Sequence, residues 1–337
     1  MTRTTTAYAL AGTDTFRLGS KTLFRFKGQK WTGYGGNLQN WNKYNRDIVI
    51  PDEGKTLIQI DQAGAEAKIV AYLCRPGRYR QLFEYGIKPH TYLAMHLFAE
   101  MWAAEMGFAD WKIEDYLTAP INKLKEMTYW RDFDIVIKGS GLRYDTGKMV
   151  CHAANYNMKA PTFQLNAMLK SEGQLLLSIK ECNRLLYTYH NLFPEIRQWH
   201  EDVKSELNRL GELRNLFGHP RRFLDFFGES RDKKGFAFIP QSTVGTITNI
   251  ALTEIQERIE NEEKLEAVDI LQNGHDSGLF QAPSALALEV AKTLKPHFER
   301  SFSHNGFSFS MGAEVAIGQN WRPWSVENPE GMKEIKI

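Results

Sequence analysis

The 337-residue sequence has only three cysteines, Cys74, Cys151 and Cys182, which lie far apart. An odd number of widely spaced cysteines argues against a disulfide framework. No CxxC pattern is present, which argues against a cysteine-based zinc site. This usage is typical of a reducing compartment such as the cytosol.

Long apolar runs and an excess of one charge are also missing. No segment approaches the roughly 18 apolar residues of a membrane span, and residues 1–20 lack the apolar core of a secretory signal. We therefore expect no membrane partner. The net charge is only +2, which argues against a protein that binds polyanions over its whole surface but permits a basic cleft. Internal repeats and low-complexity tracts are absent from the sequence.

The composition itself is that of an ordinary globular protein, with 42% hydrophobic and 24% charged residues. The length suits one large domain or two closely associated ones. Aromatic residues make up 12% of the chain. Most of them should be core residues, and a few could stack on nucleic-acid bases.

The most informative stretch covers residues 57–69. Leu57, Ile58 and Ile60 predict a buried strand, and Asp61 ends it. A helix is predicted from about residue 65, with Glu66 in its first turn. A carboxylate at a strand end beside a helix start can hold a divalent cation. The alternative is an Asp that only caps the helix.

A second carboxylate lies far downstream, in residues 271–280. Gly274 and His275 indicate a tight turn between two apolar runs, which predicts a β-hairpin with Asp276 at or beside its tip. If this hairpin pairs with the Asp61 strand, two carboxylates converge. Such a pair suits two Mg²⁺ ions, which would stabilise the attacking and leaving oxygens of phosphoryl transfer.

A polar helix face lies between these two segments. Lys148, His152 and Tyr156 follow one another at four-residue steps in a helix predicted from about Asp145 to Met158. A lysine on this face can bind triphosphate oxygens and protonate a leaving pyrophosphate. The alternative is an amphipathic helix with incidental polar residues.

These three segments together resemble family A (Pol I-like) DNA polymerases. The string IDQAGAEAK resembles the first palm motif, GKMVCHAANYNM the fingers helix and GHDSGLF the palm hairpin, in the family's order, and phage-type members are the most similar. The resemblance implies an α+β fold: a palm with an antiparallel sheet and helices, plus a mainly helical fingers subdomain. It divides the chain into palm (1–75), fingers (76–235) and palm (236–337).

The resemblance also implies the catalytic and nucleotide-binding residues. Asp61 and Asp276, with the backbone carbonyl of Gln62, would bind two Mg²⁺ ions, and Lys148 would join them as a catalytic residue. Glu66 would pack beside Tyr156 and select deoxynucleotides by crowding the sugar's 2′ position. The implied dNTP-binding set is Gln62, Glu66, His90, Arg143, Lys148, His152 and Tyr156. His90 follows Pro89 at a predicted helix start, where it could meet a phosphate or simply cap or pack.

The implied primer–template contacts are Arg17, Gln39, Tyr156, Arg221, Arg222, Gln241 and His275. Arg17 belongs to a segment, 13–20, that resembles a palm motif, and Gln39 to the similar N-L-Q-N motif at 37–40. Arg17 would touch the minor groove, and Gln241 would sense base-pair shape there. Without the neighbouring motifs, Arg17 would be a surface arginine. Template contacts and solvated charges are equally good interpretations of Arg221 and Arg222.

Several positions depart from the family pattern. Ser277 stands where the family has a second acid, and His152 where it has an aromatic residue. Phe16 and Asn157 replace glycines. The family's arginine four residues before the lysine is Tyr144 here; Arg143, five back, serves only if the helix starts late or its side chain bends round.

Other segments yield purely structural predictions. Residues 65–110 should be helical, and residues 108–142 should be less regular and contain an insertion. Pro194 should separate two helices within 175–213. Residues 239–248 should lead into a helix that ends near Ile259, with a solvated glutamate-rich face from 254 to 266. A helix is predicted at 284–294 and a strand at 307–311.

The sequence therefore predicts a template-directed DNA polymerase core that uses Mg²⁺, dNTPs and primer–template DNA. The resemblance begins almost at residue 1, which leaves no sequence for a thumb or an exonuclease domain. Either the chain is part of a larger protein, or a separate polypeptide supplies those parts. The alternatives are a non-catalytic polymerase-derived DNA-binding subunit, a single-subunit RNA polymerase and, least favoured, a two-metal nuclease. A cytoplasmic location is expected, in the host if a phage encodes the chain.

Overall fold

The computed structural model describes residues 7–9, 13, 15–21, 39, 41–107 and 110–337. The chain divides into two compact units. The first contains Met1–Glu66, Arg214–Pro220 and Phe238–Ile337, and the second contains Ala67–Leu213 and Arg221–Ala237. We call them the sheet unit and the helical unit.

Helices and strands alternate in blocks along the chain, as expected for an α+β fold. The helices are α1 (Ala65–Leu73), α2 (Arg78–Glu84), α3 (Pro89–Leu97), α4 (Ala99–Glu105), α5 (Ile113–Thr118), α6 (Ile121–Leu124), α7 (Trp130–Gly139), α8 (Leu142–Asn155), α9 (Ala160–Lys170), α10 (Ile179–Leu192), α11 (Pro194–Leu210), α12 (Glu229–Asn261) and α13 (Ala287–Phe298). The strands are β1 (Ala7–Ala9), β2 (Gly19–Lys21), β3 (Lys55–Gln62), β4 (Glu212–Arg214), β5 (Pro220–Arg222), β6 (Asp269–Asn273), β7 (Ser277–Pro283), β8 (Ser301–His304), β9 (Phe307–Ser310), β10 (Ala313–Gly318) and β11 (Lys333–Ile335). Short 3₁₀ turns cover Lys43–Ile48, Glu263–Leu265 and Ser284–Leu286.

The sheet unit is built on a five-stranded antiparallel sheet in the order β11-β10-β3-β7-β6. β3 is the middle strand of this order, and its side chains are buried on both faces of the sheet. Ile58 and Ile60 enter a core that α12 and α13 cover. Leu57 points the other way and packs with Trp321 and neighbouring apolar residues. Burial on both faces explains the near-continuous apolar run of this strand.

The helical unit depends on a close approach of α3 and α8. A Cβ atom placed on Gly147 would lie 2.8 Å from the carbonyl oxygen of His90 and 3.3 Å from Cβ of Ala94. Only glycine therefore permits this helix spacing without a backbone shift. A buried polar contact joins the end of α8 to two other helices: Asn155 donates to the Tyr79 hydroxyl at 3.0 Å and accepts from that of Tyr189 at 2.5 Å.

Several predicted elements are confirmed. A helix begins at Pro89, two helices meet at Pro194, and strand and helix occur at 307–310 and 287–298. Ser178 and Glu181 form a reciprocal capping box at the start of α10. Of the resembling N-terminal segments, Asp14, Gly36–Leu38 and Asn40 lie outside the described residues.

The segment predicted to be less regular contains three short helices, α5, α6 and α7, whose aromatic and aliphatic side chains, including Trp130 and Phe133, are buried. The predicted helix start after residue 239 was wrong. Residues 239–248 do not lead into a helix; they lie in the middle of α12, which starts at Glu229 and continues through Pro240. Burial of Phe236, Phe238 and Val244 on either side of the proline favours one continuous helix over the break expected from the local sequence. No described helix has the length and apolar character needed to cross a bilayer.

Replacing Gly147 with Ala should destabilise the protein by about 1–3 kcal/mol, because the added methyl group would overlap the carbonyl oxygen of His90. Gly139→Ala, in α7, is the matched control, since no atom lies within 4 Å of the Cβ position there. That substitution should be neutral or stabilising by up to about 1 kcal/mol. Urea unfolding measures both; equal free energies of unfolding for the two variants would contradict the proposed close packing.

Candidate active site

The two predicted aspartates are brought together by strand pairing. β7 pairs antiparallel with β3, which places Ser277 opposite Asp61, and the amide of Gln62 donates to the carbonyl oxygen of Asp276 at 2.9 Å. Asp61 and Asp276 are both half-buried. The expected pairing of the hairpin with the Asp61 strand is therefore confirmed.

The turn between β6 and β7 is held tightly from both sides. His275 has a positive φ of 75°, its amide donates to Oδ1 of Asn273 at 3.0 Å, and its carbonyl accepts from the hydroxyl of Thr248 at 2.9 Å. A Cβ on Gly274 would collide with Oγ of Ser277. These hydrogen bonds, with the one from the amide of Gln62, hold the main chain on either side of Asp276.

The side chain of Gln62 lies on the opposite face of β3 from that of the preceding residue, Asp61. It is buried, and its Nε2 donates to the hydroxyl of Thr248 at 2.7 Å and to the carbonyl of Val244 at 3.3 Å. Both hydrogen bonds tie the side chain to α12. The metal ligand predicted at Gln62 is its main-chain carbonyl, so these side-chain contacts do not interfere with that role.

Arg17 and Glu66, predicted for different tasks, form an ion pair with each other. Gly245 in α12 allows this arrangement, because a Cβ there would lie 3.0 Å from Cγ of Arg17. Phe16 takes a positive φ of 58° at a position where the family has glycine, and its ring packs edge-on against Phe238. Phe16 therefore has a left-handed backbone conformation although it carries a side chain.

Gln39 is fixed to the same turn as Asp276. Its Nε2 donates to the carbonyls of Asn273 at 2.8 Å and Leu18 at 3.0 Å, while its Oε1 accepts from the amide of Ser20. His275 lies in the same turn, and its amide donates to Asn273. Burial, with a smaller effect of Arg17, lowers the pKa of His275, and Glu66 opposes the shift.

One acidic residue beside Asp61 was missed by the sequence reasoning. Glu314 lies directly opposite Asp61 in the β3–β10 ladder, on the side away from Ser277. Opposed residues of an antiparallel pair share a face of the sheet. Nothing in the local sequence of β10 marks Glu314, because its position depends on strand order.

Among the described residues, no group of three or more His, Cys, Asp or Glu side chains could hold a metal ion. A magnesium site does not need three protein side chains. Mg²⁺ keeps several waters and takes one or two carboxylates together with substrate phosphates. The two neighbouring, half-buried aspartates and a main-chain carbonyl are hard oxygen donors that fit this pattern.

The polar helix face lies in the helical unit. α8 begins three residues earlier and ends three residues earlier than predicted, so Lys148 and His152 are on the helix and exposed, whereas Tyr156 caps its end. The rings of His152 and Tyr156 still meet edge to face, 5.1 Å apart. Asn157, at another glycine position of the family, has a positive φ of 52° and ends the helix.

His90 lies in the first turn of α3 and faces Tyr144 of α8, with the two ring centroids 6.1 Å apart. Burial lowers the pKa of His90 from 6.5 to about 4, and the charge of Lys148 contributes, followed by Lys88 and His152. Its Nδ1 is buried without a hydrogen-bond partner among the described residues. At neutral pH His90 is therefore an uncharged group that can donate to an anion.

Arg143 does not satisfy either condition set for its predicted role. α8 starts before it, and its guanidinium makes two hydrogen bonds to the carboxylate of Glu105, at 2.6 and 2.9 Å, while stacking over Trp102. A bidentate ion pair of this kind is geometrically specific. It orients Arg143 toward α4 rather than along the Lys148 face, so as a nucleotide ligand Arg143 needs a rearrangement.

The remaining predicted template contacts are Arg221 and Arg222 of the helical unit and Gln241 of the sheet unit. Arg222 is exposed and lies 3.6 Å from Glu212, and Arg221 stacks over Phe223. Gln241 is partly buried inside α12 rather than at a helix start. These contacts stay predictions.

Comparison with known proteins gives a consistent result. The profile of DNA polymerase family A matches residues 143–323, more than half of the chain. Thermostable DNA polymerase I of Thermus aquaticus is 26% identical over 282 residues, which is 82% of this chain and 28% of that protein. A DNA polymerase of Bacillus phage SP01 is 26% identical over 168 residues, 47% of this chain and 18% of the phage protein.

A solved structure has a similar fold. It is the POL domain of Pol1 from M. smegmatis in complex with DNA primer-template and dNTP, with a TM-score of 0.63 and 18% sequence identity. The match covers 94% of this chain and 48% of that one. This chain thus spans less than a third of the two curated relatives and about half of the structural one.

The low pKa of His90 can be tested directly. In the absence of nucleotide its imidazole should titrate near pH 4, and Lys148→Gln should raise that value by removing a repulsive charge. Because the folded pKa lies below the unfolded value of 6.5, the neutral ring stabilises the fold above pH 6.5, and this stabilisation is lost as the pH falls through 4. NMR of ring-labelled histidine measures the pKa.

Lys180→Gln, an exposed lysine of α10 in the same unit, is the charge-matched control and should leave the His90 titration unchanged. A midpoint near 6.5 in the unaltered chain would contradict the burial of this ring.

Proposed function

The chain belongs to DNA polymerase family A, and from that premise we propose that it is the palm and fingers portion of a template-directed DNA polymerase. The observation that carries the proposal is the pairing of β3 with β7, which brings Asp61 and Asp276 together. We assign residues 1–75 and 236–337 to the palm and 76–235 to the fingers.

Asp61, Asp276 and the carbonyl of Gln62 would hold two Mg²⁺ ions. When bound, the ions would lower the pKa of the primer 3′-hydroxyl and neutralise the leaving pyrophosphate. The chain's part is to hold both carboxylates rigidly. The β3–β7 ladder and the constrained His275 turn support this role, since both fix the backbone at the ligands.

Lys148 would bind the triphosphate and supply a proton to the pyrophosphate. His90 would donate a hydrogen bond from an uncharged ring, and an arriving phosphate would raise its pKa. His152 and Tyr156 would line the sugar and base side, as their ring contact suggests. Arg143 would contribute only after leaving Glu105, so we give it no role in the ground state.

Arg17, Gln39, His275 and Gln241 would meet the primer–template in the sheet unit, and Arg221 and Arg222 the template. The ion pair with Arg17 would keep the carboxylate of Glu66 in one orientation, and that carboxylate would exclude a 2′-hydroxyl. Thumb and exonuclease functions would come from further sequence of a larger protein or from a separate polypeptide. The isolated chain should then act distributively.

A non-catalytic DNA-binding subunit is the second candidate, and Ser277 favours it, because a hydroxyl group stands opposite Asp61 where the family has an acid. Primer extension separates the two candidates. A catalytic chain extends a primer with dNTPs only when Mg²⁺ is present, whereas a scaffold binds DNA and extends nothing. Preference for rNTPs would instead indicate an RNA polymerase.

Asp276→Asn should lower the rate of primer extension by at least about a hundredfold, since it removes the charge that holds the metal. Binding of primer–template DNA should be nearly unchanged. Asp269→Asn is the matched control, because it lies at the far end of the same hairpin, where it contacts Lys55. Its extension rate should stay close to that of the unaltered chain.

Both rates are measured by single-turnover extension of a labelled primer, and DNA binding by fluorescence anisotropy. Extension by Asp276→Asn at the unaltered rate would rule out the proposed mechanism.

Glu66→Ala should raise the incorporation of rNTPs relative to dNTPs by about tenfold or more, which corresponds to about 1.4 kcal/mol of lost discrimination. The exposed Glu53→Ala removes the same charge elsewhere in the sheet unit and should leave the ratio unchanged. Competition between labelled dNTP and rNTP measures the ratio of rNTP to dNTP incorporation in both variants. An unaltered ratio in Glu66→Ala would assign sugar selection to another residue.

A further inference from the structure

The helical unit contains a groove that the proposed catalytic and template residues do not line. It has a volume of about 1010 Å³ and lies between the start of α9, α10 and α11. Pro194, the first residue of α11, forms part of its wall where α10 and α11 meet. A groove of this size has room for more than one nucleotide unit.

The lining of the groove has more basic than acidic side chains, although the whole chain is almost neutral. Lys159, Arg184, Arg197 and Lys204 line it, with Glu201 as the single acidic lining residue. Glu201 is paired with Lys204 at 2.7 Å. Arg184 and Arg197 make no ion pair within the described part of the chain. Lys159 is paired with Glu229 at 3.5 Å, and the charge of Arg184 acts on the nearby carboxylate of Glu181, whose pKa is lowered first by Ser178 and further by Arg184. Arg184 and Arg197 thus line the groove without an ion-pair contact among the described residues, and guanidinium groups in this state suit phosphate.

The floor of the groove holds two buried histidines. Nε2 of His200 lies 2.8 Å from the carbonyl oxygen of Asn155, and because a carbonyl only accepts, this nitrogen carries the proton. His190 is 9% exposed, and its Nδ1 has no hydrogen-bond partner among the described residues. Burial lowers the pKa of His190 to about 3, assisted by Arg197, His200 and Lys159. The His190 ring is therefore neutral at physiological pH, and its Nδ1 is a polar atom with which a ligand can form a hydrogen bond.

An aromatic side chain at the edge of the groove narrows the choice of ligand. Tyr187 lines the groove and is 61% exposed. Exposed aromatic residues beside a basic track are typical of single-strand binding, in which bases stack on the ring and cations follow the phosphates. A small anion would not need the ring or an open groove of this length.

We propose that this groove binds single-stranded DNA, with Arg184 and Arg197 contacting phosphates, Tyr187 stacking on a base and His190 donating to or accepting from the strand. The site goes beyond the polymerase assignment, and it needs neither metal nor dNTP. It would hold unpaired strand against the helical unit independently of the two aspartates.

The test compares two double variants of the full chain. Arg184→Gln with Arg197→Gln removes two charges inside the groove. Lys180→Gln with Arg209→Gln removes two charges from exposed positions of the same two helices outside it. Fluorescence anisotropy measures the binding of a labelled oligothymidylate of about 12 nucleotides without Mg²⁺, at several salt concentrations.

The groove variant should bind the strand about tenfold more weakly, and its salt dependence (log K against log salt) should be shallower by about 1.4 for two lost phosphate contacts. The control variant should show neither change. Tyr187→Ala should weaken binding about fivefold or more without changing the salt slope. Circular dichroism and urea unfolding confirm that each variant is folded.

Equal losses in the groove and control variants would overturn the proposal, because they would indicate only general attraction to a basic surface. Two further probes, dATP and polyglutamate, address other ligands. If the groove variant lost dATP binding but kept strand binding, the groove would be a small-anion site. If the unaltered chain bound polyglutamate as tightly as the strand, the groove would be a site for an acidic protein partner. Since no extension is measured, an inactive polymerase with intact groove binding leaves this proposal standing.

Discussion

The antiparallel ladder between β3 and β7 is the interaction on which the candidate active site depends. It sets Asp61 opposite Ser277 and joins the amide of Gln62 to the carbonyl of Asp276, so residues more than 200 positions apart become neighbours. Because antiparallel register has a two-residue period, a slip of one residue would turn Asp61 into the opposite face of the sheet. The apolar cores on both faces prevent that slip, since Leu57 and Ile58 each have a buried place.

Around this ladder, polar side chains are used to fix the backbone. Gln39 and Thr248 donate to main-chain carbonyls of the turn, Oδ1 of Asn273 accepts from the amide of His275, and Gln62 donates to the hydroxyl of Thr248. The consequence is a turn whose main chain is held by hydrogen bonds within the protein. Such preorganisation is what metal-assisted phosphoryl transfer requires of a protein, because the ligands must not move as charge develops.

A positive φ does not require glycine in this chain. Phe16 and Asn157 stand where the resembling family has glycine, and both have a positive φ. Asparagine tolerates this region well, whereas for phenylalanine it is strained. Packing of the Phe16 ring against Phe238 offsets that strain. The local turn is therefore kept by tertiary contact rather than by the residue's own preference.

Local sequence sufficed to predict the elements that are encoded locally: the β3 strand with Asp61 near its end, the hairpin around Asp276, the helix start at Pro89 and the helix carrying Lys148. Apolar periodicity and turn residues are enough for these. Four features could not be predicted in this way: Arg143 turns to Glu105, the side chain of Gln62 is bound by α12, Glu314 lies beside Asp61, and α12 runs through Pro240. Each of these depends on partners distant in sequence, and local spacing carries no information about which distant segment will supply the contact.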